Sequence, residues 1–250
     1  MKMTRKEEER YARQMMLEGW GEAGQERLKK SCVFIAGAGG LGSPVALYLA
    51  VAGVGHLRVC DFDVLERTNL NRQILHDESG IGNLKTESAL KTLRRMNPDI
   101  RVTICSEKID GRNADDLVGE ADVIADCMDN FRARYILNRT AFRKRTPFVY
   151  GSIWGMDGRL SFFFPPETPC FQCLFPEGPP KETFPVLGAT PGVIGSLQAM
   201  EILKYLTATG TQCRDQSVKL PAVAIARALQ NHQRHVAGVG FRHILGWQAQ

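Results

Sequence analysis

The sequence contains no uninterrupted apolar run of bilayer length. Residues 31–57 carry no charged side chain, but six glycines and Pro44 break that stretch where a strand, a turn and a helix would need them, which argues against a membrane span. No apolar segment follows the charge-dense residues 1–10, so a secretory signal is not expected. Nor is there an evenly spaced, even-numbered set of cysteines. The seven present are irregularly placed, which points away from a disulfide framework and toward a reducing, cytoplasmic compartment. Internal repeats are absent. Formal net charge is only +5, and most of the excess lies in a tail carrying Arg214, Lys219, Arg227, Arg234 and Arg242 against Asp215. That tail lacks interleaved aromatics, so nucleic acid is not an expected partner.

What remains is an ordinary globular composition: 250 residues, 44% hydrophobic and 24% charged. A chain of this length buries roughly 70–75% of the surface its unfolded form exposes, so its core needs no covalent support. Apolar runs at 32–36, 57–60, 102–105, 123–127 and 148–150 read as strands. Helical patterns at 44–51, 85–96, 114–118 and 131–144 alternate with them, giving an α/β protein with a mostly parallel sheet and helices on both faces. A further strand is expected at 159–164 and an apolar helix at 193–206. Between them lies a proline-rich excursion from 165 to 191. After Gly210 the pattern dissolves, with only 222–230 compatible with a short helix. The expected organisation is therefore a helical N-terminal segment at 1–30, a main domain at 31–210 and an atypical tail at 211–250 whose composition is compatible with disorder.

The strand at 32–36 runs into Gly37-Ala38-Gly39-Gly40-Leu41-Gly42-Ser43-Pro44, a Gly-x-Gly-x-x-Gly turn that opens a helix. Gly37, Gly39 and Gly42 let the backbone turn tightly and approach a phosphate, to which the helix start presents N–H groups and a positive dipole end. This makes the sheet Rossmann-like. The next strand ends in Asp61-Phe62-Asp63, where Asp61 stands at the spacing of a ribose-binding acid. NAD, FAD and ATP all fit this much of the pattern. Asn69 through Arg72 and Asp129 would reach the same carboxyl edge of the sheet, with Gln73 next to Arg72 and Lys85 opening the following helix. A hydride-transfer site needs no such supply of cations. Arg72 and Lys85 match a triphosphate, and Asp129 the Mg²⁺ that accompanies it. His56 and His76 read as structural or solvated, and the tail histidines lack partners at metal-ligand spacing.

Taken together, Arg10-Tyr11-x-Arg13-Gln14, Gly37-x-Gly39-Gly40-x-Gly42, Asp61-x-Asp63, Asn69-x-x-Arg72-Gln73, Lys85 and Asp129-Asn130 resemble the MoeB/ThiF/HesA family, bacterial relatives of ubiquitin-activating enzymes. Pro169-Cys170-x-x-Cys173-Leu174 and the segment 192–199 extend the likeness, which covers about residues 9–206. The resemblance implies adenylation, with ATP and Mg²⁺, of the C-terminal glycine of a small ubiquitin-like sulfur carrier ending in Gly-Gly, of the molybdopterin-synthase or thiamine-pathway type. It implies that Arg13, Arg72, Lys85 and Asp129 are catalytic, with Arg13 reaching across a homodimer. Gly37, Gly39, Gly40, Gly42, Asp61, Asp63, Asn69, Gln73 and Asn130 would join Arg72, Lys85 and Asp129 in binding the nucleotide, with Asp129 holding Mg²⁺.

Two departures qualify what the resemblance implies. Cys170 and Cys173 would be half of a four-thiolate zinc site, but the second Cys-x-x-Cys is missing and Cys213 is the only later cysteine. Zinc is therefore expected, if at all, in an incomplete site completed by Cys213 or a histidine. The loop at 181–191 has no cysteine, so adenylation is expected without a thioester step on this chain. A frameshifted or newly acquired C-terminus would produce the loss of periodicity seen in the tail. Against adenylation stand two alternatives, a non-catalytic nucleotide-binding relative and an NAD- or FAD-dependent oxidoreductase.

Overall fold

The computed structural model describes residues 3–178, 185–213 and 218–220. Seven strands form one sheet: β1 (Cys32–Ala36), β2 (His56–Cys60), β3 (Arg101–Cys105), β4 (Val123–Asp126), β5 (Phe148–Trp154), β6 (Asp157–Phe163) and β7 (Val218–Leu220), in the order β3-β2-β1-β4-β5-β6-β7. The first five pair in parallel, and β6 and β7 add antiparallel at one edge. The eight α-helices of the described residues are α1 (Arg5–Met15), α2 (Gly21–Lys30), α3 (Gly42–Ala52), α4 (Lys85–Met96), α5 (Ala114–Val118), α6 (Phe131–Lys144), α7 (Phe171–Leu174) and α8 (Ala189–Thr207).

Side chains along a strand alternate between faces, and β1 shows what this does here. Val33 and Ile35 join a core with Leu28 of α2, Val45 and Leu49 of α3, Leu93 of α4 and Ile202 of α8. Phe34 and Ala36 point the other way, into a second core with Leu117 of α5, Leu137 of α6 and Phe171 of α7. A strand covered on both faces must be apolar at every position, which is why 32–36 reads as a continuous hydrophobic run. Strand order reverses between β1 and β4, and that switch point opens a crevice at the carboxyl edge of the sheet.

Helices α4, α5 and α6 keep the bounds the sequence pattern implies. Helix α8 starts four residues earlier than its apolar run, since Pro191 is tolerated in a first turn. Gly195 lets α8 lie on the start of α3, because a Cβ there would fall 2.5 Å from the Leu41 carbonyl oxygen. The strand expected to end at 150 runs on to Trp154, where Gly155, with φ of 59°, turns it back into β6. Part of the tail, read as patternless, supplies an edge strand: Val218 pairs with Leu160 and Leu220 with Gly158. The possible helix at 222–230 lies outside the described residues. Among the described residues no helix is long and apolar enough to cross a membrane.

Candidate active site

The crevice is floored by the glycine loop. Gly37 has φ of 100°, and a Cβ on it would lie 2.7 Å from the Cys127 carbonyl oxygen. A Cβ on Gly42 would overlap the Gly37 carbonyl oxygen, so the loop folds tightly against itself as α3 begins. Gly39 faces the Gln73 side-chain nitrogen, and Gly40 faces Pro191 at the start of α8 and the aliphatic part of Arg72. Two side chains tie the loop down through Ala38. Its N–H donates to Asp61 Oδ2 at 2.8 Å, and its carbonyl accepts from His76 Nε2 at 2.8 Å.

Asp61 uses its other oxygen to accept from the Asp63 N–H at 2.9 Å. Burial raises its pKa, opposed by the charge of Lys85 and by the two N–H donors. Each carboxylate oxygen retains a lone pair for a hydroxyl donor. Lys85, the first residue of α4, is buried and donates to Asp63 Oδ2 at 2.7 Å, while its own N–H is bonded to the Asp63 carbonyl. The strand end and the helix start are thereby locked together, with an ammonium group between two carboxylates.

Asn69 folds the preceding turn: its side chain accepts from the Glu66 N–H at 3.1 Å, and its carbonyl accepts from the N–H groups of Arg72 and Gln73. Arg72 donates to the Thr68 carbonyl and to Asn71 Oδ1, both at 2.9 Å. Gln73 is only 4% exposed, and its Oε1 has no hydrogen-bond partner beside the glycine loop. An orphaned acceptor in a glycine cradle fits a ligand that brings a donor. Asp129 is exposed at the mouth, two residues beyond Cys127. Asn130, expected to bind nucleotide, is the N-cap of α6, accepting from the Ala133 N–H at 2.9 Å. Its amide also donates to Asp129 Oδ1 at 3.3 Å.

Arg13 is not brought to this crevice. It is exposed on α1, whose Gln14 donates to the Ala52 carbonyl and whose Tyr11 hydroxyl accepts from Asn97. Those contacts lie at the far end of α3, about 15 Å from the loop by the helical rise.

Among the described residues the thiol pair supplies only half of a zinc shell. Cys170 and Cys173 lie with Sγ atoms 3.5 Å apart, and Asn138 donates to Cys170 at 3.6 Å. Although burial works against it, these contacts hold the Cys170 thiol below its ordinary pKa. Cys213, however, packs in the α3 and α8 layer, whereas Phe171 beside the pair belongs to the opposite layer. The sheet separates them, so Cys213 does not join the pair in a metal shell, correcting the expectation that it could. Its thiol is pushed up to about 11 by burial and by Glu201. Among the described residues no three metal-type ligands come together.

Sequence reasoning missed the groups beneath the mouth. Asp126 is fully buried at the end of β4, and Arg134 on α6 is 5% exposed. Arg134 Nε and Asp126 Oδ2 are 3.2 Å apart, close enough for charge pairing but off the line a hydrogen bond needs. Burial pushes the Asp126 carboxyl up to about 6, with Arg134 offsetting only part of the effect. Gln198 of α8 donates to the carbonyls of Asp126 and Val149 at 2.9 and 3.0 Å. The available signal was Asp126 itself, an acid inside an otherwise apolar strand.

A parallel sheet with a glycine loop at its switch point, backed by acids on the next strand, defines an α/β protein of the Rossmann class. The chain belongs to the ThiF family, whose model matches residues 11–237 and so reaches well into the tail, beyond the 206 at which the sequence likeness stopped. It is 46% identical over 204 residues to the adenylyltransferase and sulfurtransferase MOCS3 of Drosophila willistoni, covering 79% of this chain and 45% of that protein. It is 41% identical over 208 residues to the SAMP-activating enzyme E1 of Haloferax volcanii, covering 81% of this chain and 77% of that one. The chain thus spans about half the length of the MOCS3 relatives it matches. Among solved structures, that of PaaA superposes with a TM-score of 0.76 at 24% identity, covering 88% of this chain and 72% of that chain. Escherichia coli MccB with ATP gives 0.74 at 25% identity, covering 84% and 68%.

Proposed function

We propose that this chain adenylates the C-terminal glycine of a small ubiquitin-like sulfur carrier, using ATP and Mg²⁺ in the cytoplasm. The observation that carries this reading is the convergence of the glycine cradle, the orphaned Gln73 oxygen, Asp61 and the buried Lys85 on one crevice. The names of the relatives, an adenylyltransferase and an activating enzyme, support it. All seven cysteines are free, in keeping with a reducing compartment.

A peptide carboxylate is ionised at neutral pH and needs no general base to become a nucleophile. Its oxygen attacks the α-phosphorus, a new oxygen–phosphorus bond forms, and the bond to the bridging oxygen of pyrophosphate breaks with its electron pair. The chain's work is then to position the phosphates and to stabilise the charge that moves onto the leaving group. The glycine loop admits the phosphates to the start of α3, Asp61 accepts from the ribose, and Lys85 and Arg72 neutralise the departing pyrophosphate. Asp129 would hold Mg²⁺, which when bound adds further neutralisation of the phosphate oxygens. Arg13, remote within its own chain, would serve the crevice of a second copy in a homodimer. The paired thiols of Cys170 and Cys173 have no step in this scheme.

The test is ATP–pyrophosphate exchange with carriers ending in Gly-Gly. Carrier-dependent exchange is expected. ATP binding without exchange for any carrier would instead make the chain a non-catalytic relative, and stabilisation by NAD or FAD alone would make it an oxidoreductase.

A further inference from the structure

Asp129 stands on a turn of three residues after β4, and both the N–H and the carbonyl of Met128, the residue before it, have partners on buried side chains. The Cys127 N–H donates to the Ala36 carbonyl at 2.9 Å, which ties the turn to β1. The Met128 N–H donates to Asp126 Oδ1 at 3.1 Å, and the Met128 carbonyl accepts from Arg134 Nη2. That same Nη2 donates to the Gly151 carbonyl at 3.0 Å, joining the turn to β5. The guanidinium lies 5.0 Å from the Tyr150 ring and 5.4 Å from the Phe131 ring, so it is clamped on its faces as well as at its edge. Gln198 closes the arrangement from beneath, and a Cβ on Gly151 would collide with its amide.

An ion pair so deeply buried is a poor source of stability, because the cost of taking two charges from water rivals their attraction, and an apolar pair of the same volume would serve a core as well. Its geometry is distinctive for another reason. One carboxylate and one guanidinium hold the N–H and the carbonyl of Met128, and Met128 is the residue that aims Asp129. We propose that Asp126 and Arg134 are positioning residues that set the direction of the Asp129 carboxylate toward the metal on the nucleotide. This inference rests on the proposed adenylation reading, with Asp129 as the Mg²⁺ ligand.

The experiment compares ATP binding, by titration calorimetry, in excess Mg²⁺ and in excess EDTA for the wild type, Arg134→Lys, Asp126→Asn, Asp129→Asn and the Arg134→Lys/Asp129→Asn double variant. Thermal melting of each variant reports its fold. Lysine keeps the charge but cannot span the two carbonyls, so Arg134→Lys is expected to weaken binding in Mg²⁺ by about tenfold while leaving binding in EDTA unchanged. In the Asp129→Asn background the same substitution is expected to have no further effect. Should Arg134→Lys fail to fold, Asp126→Asn, which keeps the shape but removes the charge that holds the Arg134 guanidinium in place, is expected to show the same Mg²⁺-specific loss. Equal losses with and without Mg²⁺, undiminished Mg²⁺ binding in a folded variant, or additivity in the double variant would overturn the inference. A wild type that binds ATP no better with Mg²⁺ than without would instead remove the reading on which it rests.

Discussion

His76 and Ala38 are joined by a 2.8 Å hydrogen bond from the imidazole Nε2 to the carbonyl oxygen. With Nε2 as donor, Nδ1 is the acceptor for the Ser88 hydroxyl at 2.9 Å, so the ring bridges the glycine loop to α4 as the neutral tautomer. His76→Ala would orphan a buried carbonyl and leave a cavity, a loss of about 2–4 kcal/mol in denaturant unfolding. Burial lowers the folded-state pKa of His76, with Lys85 adding to the effect and the bond to Ala38 opposing it. The unfolded chain therefore takes up a proton first, and the stability His76 contributes is present above about pH 6.5 and falls as the pH drops through the depressed folded value. The wild-type minus His76→Ala stability difference should shrink on acidification.

Lys85 is fixed by Asp63 on one side and faces Asp61 on the other. If its ammonium neutralises the leaving group, Lys85→Met should reduce pyrophosphate exchange by at least about 100-fold. Asp63→Asn keeps an acceptor for Lys85 and should cost less than about tenfold. Initial rates of both variants at saturating ATP decide this, and a more damaging Asp63 substitution would reverse the assigned roles.

Glycines of the same chain should differ sharply in tolerance. Gly42→Ala drives a methyl group into the Gly37 carbonyl oxygen and should cost more than about 3 kcal/mol or abolish soluble expression. Gly82 also has a positive φ, 86°, but nothing lies within 4 Å of its would-be Cβ. Gly82→Ala should cost only about 1 kcal/mol, the backbone strain alone. Chemical denaturation of the two variants checks the contrast.

Asp126 works on pH in the opposite sense to His76. Its folded-state pKa is pushed up to about 6, chiefly by burial, with Arg134 offsetting and Asp129 adding to the rise. The folded protein therefore holds this proton more tightly than the unfolded chain, and the penalty for ionising Asp126 grows as pH climbs from about 4 to about 6. Subtracting the Asp126→Asn stability curve from that of the wild type should leave a difference that falls by on the order of 2 kcal/mol across that interval. A flat difference would mean that the carboxyl titrates alike in both states.

Local chemistry made some of this architecture legible. The charge-free run ending in spaced glycines reads as a buried strand entering a helix, and α6 is bounded by local devices, Asn130 as a side-chain cap at its start and Arg145 as a left-handed residue at its end. The full length of the β5–β6 hairpin is not legible locally because Trp154-Gly155-Met156 carries no strong turn signature, although pairing continues to Trp154 and Asp157. The pairs that order the crevice were out of reach for a different reason. His76 meets Ala38 and Gln198 meets Asp126 only once the sheet has brought distant segments together, 38 and 72 residues apart along the chain. Cys213 was open as a zinc ligand because spacing says nothing about which face of a sheet a residue packs on.

The anchoring of α1 at the far end of α3 has a consequence for how activity should be shared. If Arg13 completes a neighbour's crevice, two chains each crippled at a different point can repair one another. Mixing an inactive Arg13→Ala preparation with an inactive Asp129→Ala preparation should restore exchange, since each mixed pair contains one crevice with both groups intact. Specific activity of the wild type should likewise decline on dilution, as pairs part into halves that each lack the arm the other carried.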